Sequence, residues 1–388
     1  MTTLSRSGIA ALLAGHCAGM LDLVALPVWV GALVGWYHFD AQQAGLLASL
    51  FLGGQVVSSV LLAPRIMKVK GRTAAVAGFT LAGLAFLGVA ATDVVALMAL
   101  LHLAGGLGAG CALSVTHGAV GRSANPHRLF AMAGFALALF GIFMLGGGSK
   151  LVQWRGGPAL FTLFAAVMGV ALVLAALAFP QQRAAGAGLA AATAPLSARV
   201  WFGMVAMGLL ALAQACIFSF VERLGADRGY AAEIVTTVLI CAGVVNLTPA
   251  PLAGWLQNRL RAEAVVICGP LAHAAAVLAL TQFNTFPSYA VLVSLLIAIV
   301  VFTHTFLFGL LARLDPSGRA VAATPAMLMI GAAIGPVLGG TVVKLAGYPA
   351  LGVCVAVAGA LSALLFGLMR RVLPAVSPSA AMRPPMVP

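Results

Sequence analysis

Twelve stretches of this chain are about as long as a lipid hydrocarbon core is thick, and few side chains in them can ionise. They fall near 8–34, 44–64, 73–92, 94–117, 129–150 and 157–179, then near 199–222, 232–256, 263–283, 288–312, 320–345 and 347–370. A helix needs roughly 20 apolar residues to cross that core. The stretches lack the polar/apolar alternation of barrel strands, so they read as helices. Composition excludes the soluble alternative. Of the 388 residues 62% are hydrophobic and 7% charged, and mean hydropathy is +1.10, whereas soluble domains carry about 25% charged residues. The first stretch is full-length, contains Asp22 and has no small-residue cleavage site after a short core. It is expected to stay in place as a span.

The longest internal break, PQQRAAGAGLAAATAPLSA at 180–198, is rich in Ala, Gly and Pro. It reads as a cytoplasmic linker between one bundle at 1–179 and a second at 199–371. The proline-rich segment 372–388 reads as a disordered cytoplasmic tail. With the N-terminus placed inside, sixteen of the 21 Lys and Arg fall on inner loops and termini, including Arg65, Lys68, Lys70 and Arg72. Five fall outside: Lys150, Arg155, Arg223, Arg228 and Lys344. The asymmetry predicts both termini in the cytoplasm and a cell inner (cytoplasmic) membrane location. It accounts for the net charge of +13 without a nucleic-acid partner. The six cysteines lie inside apolar runs with no CxxC pair, and read as reduced structural thiols.

The halves repeat. APRIMKVKGR follows the second span at 63–72, and AGWLQNRLRA follows the eighth at 253–262. The fifth span ends GGGSKLVQWRGGPALF from 146, and the eleventh ends GGTVVKLAGYPALG from 339. Parallel six-helix repeats mark a two-bundle transporter with its site between the halves.

In span number, orientation and repeat the chain resembles the major facilitator superfamily (MFS). The family's loop motif after helix two, G-x-x-x-D-R/K-x-G-R-R/K, is matched by Gly71 and Arg72, with Pro64 and Lys68 departing from it. The second copy matches at Gly254, Asn258 and Arg259, with Arg261 departing. In the family this motif latches the halves, so these loop residues are expected at an inter-half gate. HLAGGLGA at 102–109 resembles the R-x-x-Q-G-x-G-A motif of the drug–proton antiporter branch at Gly106, Gly108 and Ala109. His102 stands where that branch has its coupling Arg, and Gly105 replaces Gln. The resemblance implies an all-α membrane protein with twelve transmembrane helices in two pseudo-symmetric six-helix bundles (the MFS fold).

Within this frame Asp22 is the one acid deep in an expected span. Intramembrane acids are costly and by default functional, although Asp22 also reads as a structural partner for a neighbouring helix. His102 is expected beside it as a second proton carrier, since an imidazole titrates near neutral pH. It reads equally as a neutral histidine bonded to a carbonyl. Gln55, Gln214, Asn246 and His304 are expected to line the substrate cavity with His16 and Met20. His304 is favoured over His273, and His117 and His127 are expected in solvent beside an inner loop. Glu222 closes helix seven with Arg223 beside it and reads as a gating or interfacial group. Gly331, Gly335 and Gly339 form a small-residue ladder on helix eleven.

The leading expectation is a secondary transporter of a small organic solute, working by alternating access and coupled to protons. It is expected to act as a monomer in the lipid bilayer, without a cofactor and without enzymatic activity. The deep acid favours a neutral or cationic solute by analogy with the antiporters. A second reading is Cu(I) import. His16 and Met20 share a face at i, i+4, and with Cys17 they form a soft donor set that suits Cu(I). Met204 and Met207 are the expected ligands across the cavity, and the H-x-x-x-M spacing resembles that of MFS-type copper importers. A non-transporting membrane sensor is the third reading.

Overall fold

The computed structural model describes residues 4–62, 69–123, 126–180, 197–314 and 319–371. The expected linker at 180–198 lies almost wholly outside these residues, as do the tail 372–388 and loop residues Pro64, Arg65 and Lys68. The described chain is helical, because hydrocarbon offers no partner to backbone N–H and C=O groups and a helix pairs them internally. The first half contains α1 (Arg6–Gly19), α2 (Leu21–Gly35), α3 (Ala41–Leu62), α4 (Gly71–Ala90), α5 (Val95–Gly121), α6 (Pro126–Phe143), α7 (Ser149–Arg155) and α8 (Gly157–Ala178). The second contains α9 (Ala198–Phe218), α10 (Val221–Asp227), α11 (Ala232–Val245), α12 (Pro249–Leu256), α13 (Ala262–Gln282), α14 (Phe286–Leu314) and α15 (Arg319–Arg371).

Eleven helical stretches among the described residues are long and apolar enough to span a membrane. The last of these runs 44 residues, about 66 Å of helix at 1.5 Å per residue. It is interrupted at Gly347, where two helices meet (φ 76°, ψ −179°). Gly156, between α7 and α8, has the same backbone conformation (φ 81°, ψ −179°). Each is followed, one residue on, by Pro-Ala-Leu. A positive φ of this kind is accessible to glycine at little cost and strained for other residues. The repeat seen in the letters is thus a repeat of backbone geometry.

Four spans are discontinuous. α1 and α2 meet at Met20 (φ −108°, ψ 22°). α9 gives way to α10 at Ser219 and Phe220, where the Ser219 hydroxyl donates to Ala215 O at 2.6 Å, a back-bond that bends helices. α11 ends at Asn246, and Pro249 opens α12, since proline supplies no N–H to continue a helix. A π-turn, Met144–Gly148, joins α6 to α7.

The halves meet at the end of the spans remote from Arg6, Arg72 and Arg259. Gly45 of α3 lies against Pro336 O, and Gly340 lies against Ala41 O. Val337 N donates to Ser49 Oγ at 3.0 Å. Gln153 Nε2 donates to Thr236 Oγ1 at 2.9 Å. Ile240 packs over Gly146, and Ile142 packs over Gly243. α11 therefore leans on α6, the π-turn and α7, whereas α12, nearer the basic end, packs on α14 of its own half. The glycine ladder of Gly331, Gly335 and Gly339 serves packing inside the second half, against Gly208 O, Ala215 and Cys216 O of α9.

Within the first half, Gly106 of α5 rests on the backbone of Phe51 in α3, while no atom comes within 4 Å of a side chain built at Gly53. Gly106→Val is expected to lower stability by about 1–3 kcal/mol through overpacking. Gly53→Val is expected to stay within about 0.5 kcal/mol of the parent. Thermal unfolding of the detergent-solubilised proteins checks both.

Candidate functional site

The break at Met20 builds the polar centre of the first half. The N–H of Leu23 turns to Met20 O at 3.2 Å, which releases Gly19 O from the helical ladder. In hydrocarbon that carbonyl needs another donor. Gln55 on α3 supplies it, and its Nε2 donates to Gly19 O at 2.9 Å and to Asp22 Oδ1 at 3.1 Å. Asp22 is 6% exposed and Gln55 is fully buried. Gly15 and Gly19 present bare backbone toward Thr116 and Leu113 of α5, which lets α1 come close. Asp22 and Gln55 were expected from sequence in separate roles, as proton carrier and cavity amide; the structure joins them.

His102 is held elsewhere. Its Nδ1 lies 2.7 Å from Met98 O, and its Nε2 accepts from Trp29 Nε1 at 3.1 Å. The neutral tautomer with the proton on Nδ1 satisfies both contacts, and a second ring proton would face the indole N–H. Phe161 packs edge-on to the imidazole, and Phe51, Phe86 and Phe164 pack around Trp29. This geometry fits the alternative reading of His102 as a carbonyl-bonded neutral histidine.

His16 turns toward α5. Its Nδ1 lies 2.9 Å from His117 Nε2, with ring centroids 5.1 Å apart. His117, expected in solvent, is half-buried and packs edge-on to Phe130. The His127 side chain lies outside the described residues. Met204 and Met207, expected across a cavity from His16, are fully packed in the core of the second half at 1% and 0% exposure. The soft donor set is therefore not assembled: His16 faces His117, Cys17 and Met20 are half-buried, and both α9 methionines point into their own bundle. No group of three or more His, Cys, Asp or Glu among the described residues is placed to hold a metal.

In the second half His273 Nε2 donates to Gln214 Oε1 at 2.7 Å, tying α13 to α9. Asn246 Oδ1, at the α11 break, and His304 Nε2 on α14 have no hydrogen-bond partner among the described residues. α11 and α14 pack together.

The end where the halves meet carries a charged latch. Lys344 Nζ reaches Asp40 Oδ2 at 2.9 Å and Gln42 Oε1 at 3.3 Å. Asp40 also caps α3: its Oδ1 accepts from Gln43 N at 2.9 Å, and Asp40 N donates to Gln43 Oε1 at 3.1 Å, a reciprocal box. Partial burial works against ionisation of Asp40. The Gln43 backbone N–H and Lys344 outweigh it and hold the carboxyl below its ordinary value. Arg259 stacks over Trp255 at 4.7 Å, Asn258 and Gly254 are exposed, and Gly71 and Arg72 open α4.

The model for the Major Facilitator Superfamily matches residues 11–317. The chain belongs to this superfamily. Its fold is shared with a crystal structure of a D-xylose–proton symporter, which aligns with 95% of this chain and 98% of that one at TM-score 0.72 and 16% identity. A crystal structure of nucleoside transporter NupG aligns with 95% of this chain and all of that one at TM-score 0.73 and 13% identity. Comparison with curated proteins finds no match. Membership makes the chain a multi-pass membrane transporter of small solutes rather than an enzyme.

The latch has a defined pH response. A carboxyl held below its ordinary value contributes stability above that value, about 3.9, and loses it only as pH falls through the depressed one. Closure at this end is therefore expected to owe the same small increment to Asp40 from pH 5 to 8. Asp40 and Lys344 are both more than a third exposed, so Asp40→Asn is expected to shift closure by about 0.5 kcal/mol or less. Accessibility of reporter cysteines at this end, compared with the parent across that range, checks it.

Proposed function

We propose that this transporter moves a small, neutral organic solute by alternating access, coupled to protons through Asp22. The observation that carries the reading is the Asp22 carboxyl itself. It is buried at a helix break, and its described side-chain partner is the neutral amide of Gln55. A buried carboxylate without a cation is strongly disfavoured, and a proton is the one cation that needs no extra room. Gln55, Gln214, His102 and His273 each make a side-chain hydrogen bond inside their own half, although Gln55 Oε1 and His273 Nδ1 stay unpartnered among the described residues. Asn246 and His304 keep unpartnered polar atoms among the described residues and, unlike Gln55 and His273, have no side-chain hydrogen bond within their half, and we assign them to the solute. That assignment agrees in chemical class with the sugar and nucleoside named for the structural neighbours.

In this reading the two bundles are 1–179 and 199–371, the molecule works as a monomer in a cytoplasmic membrane, and both termini lie in the cytoplasm. The lysine- and arginine-rich end is then inside, and the closed seam of α3 with α15 and α7 with α11 is the outer seal. Copper import draws no support from the packing of Met204 and Met207.

Asp22→Asn is expected to reduce proton-driven solute uptake in proteoliposomes by at least tenfold while leaving downhill exchange. Coupled uptake at the parent rate would sink the assignment. His102→Gln is expected to keep coupling and to lower the melting temperature, since it disturbs the Trp29 contact. Loss of coupling with an unchanged melting temperature would return His102 to the proton path.

A further inference from the structure

We propose that Glu222 is a second proton-binding site of this transporter, and that a proton on its carboxyl keeps the seal opposite the basic end shut. This deepens the proton-coupled reading but stands on a different carboxyl, one that touches both halves.

Glu222 lies in the first turn of α10, past the Ser219–Phe220 break. Its carboxyl rests on the bare backbone of Gly31 in α2. A Cβ built there would stand 3.0 Å from Cδ, 3.1 Å from Oε1 and 3.3 Å from Oε2. Ser149, the buried first residue of α7, lies beside it. Both neighbours belong to the first half of the chain and Glu222 to the second. The carboxyl therefore enters this cleft only when the halves come together. Inside it, Oε2 is buried without a hydrogen-bond partner among the described residues.

No described cation answers the charge. Arg223, next in sequence, pairs with Asp227 at 2.7 Å. Arg228 turns its Nη2 to Leu280 O. From α14, Tyr289 gives its hydroxyl to Val221 O at 2.9 Å, and its ring meets Tyr230. From α11, Glu233 carries the same sign and is exposed. Lys150, which follows Ser149, is exposed too, and the one ionisable residue of α2 is Asp22 near its other end. An ionised carboxylate lodged here bears a desolvation cost of several kcal/mol, which the neutral Ser149 hydroxyl beside it offsets only in part. A proton removes that charge. When the halves part, Gly31 and Ser149 withdraw, water reaches the carboxyl, and the proton leaves to that side.

The test uses the full-length protein in nanodiscs. Spin labels are placed by Val94→Cys and Asn284→Cys, on exposed loops of opposite halves at the sealed end, with the six native cysteines replaced. Between pH 6 and 8.5 the parent is expected to gain at least threefold in its long-distance population. Glu222→Gln, a neutral isostere, is expected to stay short at both pH values. Gly31→Ala, which pushes the carboxyl from the cleft, is expected to be more open already at pH 6. A Glu222→Gln protein with the parent's pH response, or a Gly31→Ala protein as closed as the parent, overturns the proposal. Asp22→Asn separates the two readings. If it abolishes the distance response while Glu222→Gln keeps it, Glu222 fails and Asp22 survives. If Glu222→Gln abolishes the response while Asp22→Asn still shows proton-coupled flux, Glu222 stands and Asp22 falls.

Discussion

The amide of Gln55 holds the first half together at its most expensive point. A helix broken in hydrocarbon exposes a carbonyl, and the break at Met20 leaves Gly19 O in that position, one turn from a carboxyl. One nitrogen with two hydrogens serves both at 2.9 and 3.1 Å. Without that donor, the break and the acid would each add an unsatisfied polar group where no water reaches. The bare faces of Gly15 and Gly19 toward α5, and the approach of α3 to α5 at Gly106, follow from the same need to bring α1, α3 and α5 close.

A different rule governs the seam between the halves. Inside each half, polar side chains find partners in their own bundle: Asp22 with Gln55, His16 with His117, His102 with Trp29, His273 with Gln214. Across the seam the contacts among the described residues are small residues, single hydrogen bonds, and an exposed ion pair between Asp40 and Lys344. Such contacts are individually weak. That suits two rigid bundles that must part and close again. Glu222 is the exception, a carboxyl from one half lodged against the other.

Much of the architecture was legible in the letters. Apolar length predicted the spans, and the G-x-P-A-L recurrence predicted a repeat that Gly156 and Gly347 realise in matching dihedrals. The acid at position 22 announced a polar centre because ionisable residues in an apolar run are rare. The roles of the histidines were not legible. His16 and Met20 share a helical face only if the helix continues, and it breaks at Met20. Met204 and Met207 have the right chemistry for a soft ligand, but burial depends on which face of α9 meets α14 and α15. Glu222 looked like the end of a span because the letters do not show that α10 carries the helix on past the break, against the first half.

The sequence by itself determined that the chain lies in a membrane as helices, that it repeats, and how its basic charge is distributed. Those properties are sums over many residues, so no single contact can alter them. Only the tertiary structure decided which polar groups answer one another, which end is sealed, and which carboxyl touches both halves. Those depend on distances of about 3 Å between residues far apart in the chain. Such distances are set by kinks and packing faces to which hydropathy and spacing are blind.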